Sequence, residues 1–265
     1  MLFRWISAWF AGRRRARILS RPIPDTWQST LRHAVPRWND LDDAERGHLC
    51  RLVQVFVAEK HWEGCGGLEL NDEIRVTVAG CACLLLLGLE HDYYRNVESI
   101  YVYPSTVVTA ARHSTLTRQL TIEKPPVPIH GEAMRGGPIV LVWDAIRHDT
   151  RHPHAGHNVV FHEFAHKLDM LDGLIDGTPM LAPEQYARWV DVCTREFELL
   201  RRAEARGDPT SLDPYGATNV GEFFAVATEH FFVRPRVMRD KHPELYAVLR
   251  DFYAQDPAAR ASRRV

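Results

Sequence analysis

The sequence has no apolar run of the roughly 20 residues that a transmembrane helix needs. The apolar parts of residues 1–17 and 78–89 are both too short. In residues 1–17 the arginines follow the apolar residues, and no small-residue cleavage site closes the apolar run. A secretory signal has its charges before the apolar run and such a cleavage site after it. We therefore expect no stable membrane insertion and a cytoplasmic location.

The sequence also lacks a charge bias and a disulfide pattern. Its 33 basic and 34 acidic residues give a net charge of −1, so no global field favours nucleic acid. No helix-turn-helix or basic recognition helix is evident, and we expect no direct contact with nucleic acid. The five cysteines are an odd number at irregular spacing, which is typical of a reducing compartment and not of a disulfide framework.

What the sequence does contain is a succession of helical and strand-like segments without βαβ alternation. Residues 98–108 and 137–146 are β-rich and predict strands, and residues 147–157 predict a loop with several histidines. Apolar residues at helical spacing predict helices over residues 41–62, from about 71 through the apolar block at 78–89, and over 181–207, 219–232 and 242–256.

This pattern predicts the α+β class, with a small mixed sheet and mostly helical surroundings. We expect one domain over residues 25–255. It would be preceded by a basic and apolar helical segment at 1–24 and followed by a basic tail at 256–265.

Residues 162–166 read H-E-F-A-H on one of the predicted helices. His162 and His166 would lie almost on the same helix face, roughly 6 Å apart along the axis. Both imidazoles can then reach one zinc ion at about 2.0–2.1 Å. Glu163 projects toward the same edge, where a carboxylate can take a proton from water. Because Asn158 is also a good N-cap, the segment predicts a capped, metal-binding helix.

A catalytic zinc ion needs a third protein ligand, and three acidic residues compete for that role. Asp172 lies where metzincin-type sites place theirs, but those sites need a glycine where this chain has Asp169. In a continued helix Asp172 faces away from His166, and we reject it. Glu184 has nearly the spacing of thermolysin-like enzymes, although the helix dipole alone explains a glutamate in a first helical turn.

Glu222 is the third candidate. It lies among four phenylalanines on a helix too apolar for the surface, and a buried carboxylate needs a partner. The alternative interpretation is a capping box with Asn219 as the N-cap. Glu229 faces nearly the same direction as Glu222 and could orient a ligand histidine. Spacing alone prefers neither of these two glutamates strongly.

Three segments resemble the Mlc titration factor A family of bacterial zinc metallopeptidases: 156–169 (GHNVVFHEFAHKLD), 213–232 (DPYGATNVGEFFAVATEHFF) and 137–144 (GPIVLVWD). The likeness runs from about Lys60 to about Tyr253. That family is in turn similar, around its metal, to the catalytic domain of lethal-factor-type proteases. The resemblance implies a zincin-like fold and a gluzincin-type active site.

By this resemblance, His162, His166 and Glu222 ligate one zinc ion per chain, and Glu163 is the general base. Tyr215 matches a tyrosine that faces the metal, where a phenol can donate a hydrogen bond to the oxyanion formed in peptide hydrolysis. The strand-like segment at 137–144 would be an edge strand above the metal, which can bind extended peptide by strand addition.

The resemblance implies two functions of different classes. The family is described as having aminopeptidase-like activity, which predicts a cytoplasmic zinc peptidase acting on peptide or protein substrates. It is also described as binding a sugar-responsive transcriptional repressor, which predicts a regulatory binding protein with secondary peptidase activity. Glu163 has not been replaced by glutamine, and this favours the first hypothesis.

Overall fold

We describe the chain from a computed structural model that covers residues 2–105, 137–153 and 155–262, with side chains from residue 11 to residue 260. These residues form eleven α-helices, two of which contain the proposed metal ligands, and three β-strands. None of the helices in these ranges is long and apolar enough to cross a membrane.

The strands are β1 (His61–Gly64), β2 (Ser99–Tyr103) and β3 (Ile139–Val142). The helices are α1 (Leu2–Leu19), α2 (Asp25–Ala34), α3 (Asp43–Glu59), α4 (Asp72–Leu86), α5 (Trp143–Arg151), α6 (Val159–Asp169), α7 (Pro183–Arg206), α8 (Val220–Val233), α9 (Pro235–Lys241), α10 (Pro243–Tyr253) and α11 (Pro257–Ser262). The predicted α+β class is confirmed.

The three strands form a parallel sheet in the order β1-β2-β3. The prediction of a mixed sheet was therefore wrong for the described residues. The expected absence of βαβ alternation was wrong as well, because α4 connects the parallel neighbours β1 and β2. The cause is β1, which has only four residues and no apolar alternation, so that its sequence predicts a helix end and a glycine turn.

Three predicted elements also end earlier than expected. The helix predicted over 41–62 ends at Glu59, where the chain turns into β1. The strand predicted over 137–146 ends at Val142, and α5 begins at Trp143 and takes in half of the predicted histidine loop. The predicted strand over 98–108 ends at Tyr103, and residues 106–108 lie outside the described ranges.

The core is built around two apolar helices. In α4, every residue from Val76 to Leu86 is buried, as the apolar block beginning at residue 78 predicted. In α8, every residue from Gly221 to Val233 is buried. Helix α6 packs against both α4 and α8. The helix that carries the two histidines therefore lies between two apolar helices and in contact with α8.

The ends of the chain also pack on this body. Arg15 of α1 donates hydrogen bonds to the carboxylate of Glu59 at 2.9 and 3.0 Å, which joins α1 to α3. At the other end, α11 buries Ala258, and Arg260 donates to Glu45 at 2.8 Å. The residues after 255, which we expected to form a tail, therefore include a packed helix. All five cysteines are free.

Candidate metal centre

Three side chains hold the N-terminus of α6, which carries the H-E-F-A-H segment. The side chain of Asn158 accepts the N–H of Phe161 at 3.0 Å, as its predicted role as N-cap requires. Asp149 accepts the N–H of Val159 at 2.9 Å, and Glu229 accepts the N–H of Asn158 at 2.6 Å. Since the first turn of a helix leaves its N–H groups without partners inside the helix, these bonds fix the position of the segment that follows.

On the opposite helix, α8, Asn219 is the N-cap and accepts the backbone N–H of Glu222 at 3.0 Å. The side chain of Glu222 points elsewhere, with Oε2 lying 3.0 Å from Nε2 of His162. Glu222 thus contributes its backbone to the helix cap and its carboxylate to the histidine cluster. A capping box would also need the Glu222 carboxylate to accept the backbone N–H of Asn219. That carboxylate lies at His162 instead, so only the N-cap half of the alternative interpretation is present.

His162, His166 and Glu222 bring one ligand atom each to a common point. The Nε2 atoms of the two histidines lie 3.3 Å apart, and Oε2 of Glu222 lies 3.0 Å from the first and 3.4 Å from the second. Tetrahedral zinc with ligands at about 2.0–2.1 Å places neighbouring ligand atoms roughly 3.3–3.4 Å apart. Within the described residues, these three form a group that could hold a metal ion.

The hydrogen bonds around His162 indicate a cation at this point. Its Nδ1 lies 2.8 Å from Oε1 of Glu229, and because a carboxylate only accepts, Nδ1 carries a proton. In the neutral ring, Nε2 therefore directs a lone pair at the carboxylate of Glu222, which is also an acceptor. Two acceptors 3.0 Å apart need a positive charge between them, either a metal ion or the second proton of an imidazolium.

The pKa values follow from this arrangement. Burial opposes a charge on His162, but the hydrogen bonds to Glu222 and Glu229 outweigh it and hold the pKa of His162 well above its usual value. Burial also opposes the charge on Glu222, yet the two imidazoles lower the pKa of that carboxyl to about 2. The site therefore favours an anionic Glu222 facing a positive charge, and a metal ion bound at this point would take the place of the proton on Nε2 of His162.

Glu163 is next to this group and has an unusual environment. Its Oε1 atom is buried and has no hydrogen-bond partner among the described residues, which costs free energy in a purely structural residue. Burial raises the pKa of the Glu163 carboxyl, although His162 and His166 oppose that shift. A carboxylate with a raised pKa beside a cluster of metal-ligand type has the properties of a proton acceptor.

Tyr215 lies beside His162. Its ring centroid is 6.0 Å from that of His162, and Asp213 accepts its backbone N–H at 2.8 Å in the short 3₁₀ turn Pro214–Ala217. This turn packs on α8. The phenol ring is therefore positioned by the helix that carries Glu222.

The other acidic candidates lie outside the cluster. Glu184 is exposed at the start of α7. Asp172 is exposed in a 3₁₀ turn after α6 and accepts the N–H of Leu174 at 2.9 Å.

The sequence gives no indication of a role for Asp169, which is fully buried and accepts the N–H of Gly177 at 3.0 Å. That bond ties the loop after α6 to the end of the helix, and burial raises the pKa of Asp169 to about 6.

Comparison with known proteins gives the family. The sequence model of the glucose-regulated metallo-peptidase M90 family matches residues 9–254, which is most of the chain. The chain belongs to this metallopeptidase family. The match begins well before Lys60, so the likeness extends further toward the N-terminus than the three motifs alone indicated.

Similar proteins span nearly the same length as this M90 family member. An uncharacterized protein of Synechocystis sp. is 37% identical over 246 residues, which are 92% of this chain and 89% of that protein. Mlc titration factor A of Cronobacter sakazakii is 29% identical, over 92% of this chain and 90% of that protein. Mlc titration factor A of Serratia proteamaculans is 30% identical, over 89% of each chain. The resemblance to the Mlc titration factor A family is thereby confirmed.

Proposed function

We propose that the protein is a cytoplasmic, zinc-dependent peptidase of the aminopeptidase type with a zincin-like fold. The observation that carries the proposal is the convergence of His162, His166 and Glu222 beside a carboxylate oxygen of Glu163 that is buried and has no partner in the described part of the chain. The metallopeptidase family supports a bound metal, and two imidazoles with one carboxylate are a ligand set of catalytic zinc sites. The preference for aminopeptidase substrates rests on the family resemblance. The cytoplasmic location is supported by the five free cysteines, which are typical of a reducing compartment.

When bound, zinc polarises the carbonyl of a peptide bond and makes water acidic enough to be deprotonated near neutral pH. Glu163 accepts the proton of the attacking water and later returns it to the leaving amine. Tyr215 donates a hydrogen bond to the oxyanion that develops on the carbonyl oxygen. Glu229 keeps the Nδ1 proton on His162, so that its Nε2 lone pair faces the site.

Strand β3 gives this chemistry a place for an extended substrate. It is an edge strand of the described sheet and packs on α6. An edge strand has unpaired backbone groups on one side, and a peptide in strand conformation can pair with them. We propose that the peptide substrate lies along this edge.

Substitution Glu163→Gln tests the proposal. It keeps the size of the side chain and removes the base, so hydrolysis of aminoacyl p-nitroanilides should fall by about 10²–10⁴-fold while zinc stays bound. Zinc content measured on the same sample separates loss of the base from loss of the site. Hydrolysis at the wild-type rate in this variant would show that Glu163 is not the base.

A second candidate function is the binding of a transcriptional repressor, and relatives named Mlc titration factor A favour it. In that case the repressor is the partner and peptidase activity is secondary. Binding of purified repressor to wild type and Glu163→Gln, measured by calorimetry, distinguishes the two functions. Equal binding by both proteins, with hydrolysis lost in the variant, would show that both functions are present and independent.

A further inference from the structure

A second polar cluster lies outside the metal centre and joins three separate elements. Ser211 is in the loop after α7, His242 is at the junction of α9 and α10, and Glu196 is within α7. Oγ of Ser211 lies 2.6 Å from Nε2 of His242, and Nδ1 of His242 lies 2.7 Å from Oε2 of Glu196. The side chains of His242 and Glu196 are 21% and 12% exposed, so the last two members are largely shielded from water.

These contacts fix the direction of the protons. The carboxylate of Glu196 only accepts, so Nδ1 of His242 donates to it and the neutral imidazole has its lone pair at Nε2. Ser211 therefore donates its hydroxyl proton to His242. This is the proton arrangement of a serine nucleophile, its general base and the carboxylate that orients the base.

Ser211 also lines a cavity of about 220 Å³. A water molecule occupies roughly 30 Å³ in the liquid, so the cavity has room for a small organic molecule and none for a folded protein substrate. Its wall opposite the loop is formed by α8 and the start of α9, which contribute Val226, His230 and Arg234.

That wall contains a buried imidazole and a guanidinium. His230 is 3% exposed and its Nε2 atom is buried, so its ring closes the wall without offering that atom to a ligand. No described carboxylate pairs with the guanidinium of Arg234, which lies against Gly156. That glycine has φ +94°, and a Cβ added there would lie 3.2 Å from Cδ of Arg234. A guanidinium is a group that stabilises a developing oxyanion.

We propose that Ser211, His242 and Glu196 form a second, metal-independent hydrolytic site that acts on small, uncharged carboxylic esters. Ser211 Oγ attacks the ester carbonyl while His242 takes the hydroxyl proton, and Arg234 stabilises the oxyanion. His242 then protonates the alcohol as its C–O bond breaks. Water hydrolyses the acyl-serine by the same steps, giving acid, alcohol and the free serine. Glu196 is a positioning residue that acts through His242.

The remaining charges of the cavity favour an uncharged substrate. Asp213 and Glu229 line it as well, and each already accepts a backbone N–H, from Tyr215 at 2.8 Å and from Asn158 at 2.6 Å. Their negative charges disfavour an anionic substrate and promote release of the carboxylate product.

The test is covalent labelling with a fluorophosphonate probe, followed by peptide mapping. We expect one adduct on Ser211 that forms equally well after zinc is removed with a chelator, together with hydrolysis of p-nitrophenyl acetate that the chelator does not abolish. Ser211→Ala should remove the adduct, and His242→Gln should slow its formation by about 10²-fold or more. Ser20→Ala, a matched change at an exposed serine that donates to Arg17, should label at the wild-type rate.

Glu196→Gln provides a readout that a structural role would not change. The side-chain N–H of glutamine can donate to Nδ1 of His242, which moves the imidazole proton to Nε2. Ester hydrolysis near neutral pH should therefore fall, and its pH profile should change. The midpoint of thermal unfolding should stay within a few degrees of the wild-type value. No adduct in wild type, or an equal adduct in Ser211→Ala, would overturn the proposal. The three side chains would then only bridge the loop, α7 and α9.

Discussion

Nδ1 of His162 lies 2.8 Å from Oε1 of Glu229, while Oε2 of the same glutamate accepts the backbone N–H of Asn158 at 2.6 Å. One carboxylate therefore holds both the tautomer of a proposed metal ligand and the N-terminus of the helix that carries it. We predict that Glu229→Gln, which keeps the shape and removes the charge, weakens zinc binding by about 10–100-fold.

Competition with a chromogenic chelator measures that change. Glu184→Gln is the matched control, because Glu184 is exposed at the start of α7. An unchanged zinc affinity in Glu229→Gln would mean that this hydrogen bond serves only the fold.

The choice of third ligand has a direct test in metal content. Wild-type protein should contain about one zinc ion per chain, and Glu222→Ala should lose it because Oε2 of Glu222 is the only carboxylate oxygen in the described cluster of ligand atoms. Glu184→Ala should keep its zinc. Elemental analysis of the three proteins after dialysis gives the result, and zinc retained in Glu222→Ala would contradict the proposed ligand set.

Tyr215→Phe separates transition-state stabilisation from metal binding. The variant removes one hydroxyl and keeps the ring that lies 6.0 Å from the ring of His162. We expect kcat for peptide hydrolysis to fall by about 10²-fold with little change in KM or zinc content. A rise in KM at constant kcat would instead indicate that the phenol contacts the substrate equally in the ground state and the transition state.

The stability of the fold should depend on pH through His230. Burial, followed by the charges of Arg234, His242, His157 and Lys241, lowers the pKa of His230 to about 4. The unfolded chain takes up this proton near pH 6.5 and the folded chain only near pH 4, so the stabilisation is complete above pH 6.5 and is lost as pH falls toward 4. The effect amounts to roughly 3 kcal/mol in the free energy of unfolding.

Urea unfolding of His230→Gln and wild type across pH 4–7, with chelator present to exclude metal effects, measures this loss. The difference in stability between the two proteins should shrink as the pH falls. His148→Gln, a change at an exposed histidine of α5, is the matched control. A difference that stays constant with pH would contradict the role of His230.

Local features of the sequence predicted α6 and its surroundings well. Asn158 before a run of apolar residues predicted the N-cap, and the spacing of His162 and His166 predicted that they share a helix face, where the structure places their Nε2 atoms 3.3 Å apart. These properties depend on residues within one or two helical turns, which a single sequence displays directly.

Non-local features were harder to predict. The parallel pairing of β1 with β2 depends on how α4 crosses the sheet, and His61–Gly64 has too few apolar residues to indicate a strand. Glu222 competed with Glu184 because only the packing of α6 on α8 decides which carboxylate reaches the histidines. The contact between Ser211 and His242 had no sequence indication at all, since its members come from separate elements.

The packing of α8 on α6 has a consequence for how the protein is made. A ribosome releases the chain from its N-terminus, so both histidines of α6 emerge well before Glu222 and Glu229. Until α8 is synthesised and docks, the nascent chain has neither the carboxylate that completes the proposed ligand set nor the one that orients His162. The proposed peptidase therefore stays inactive during translation and becomes competent only when its last third has folded.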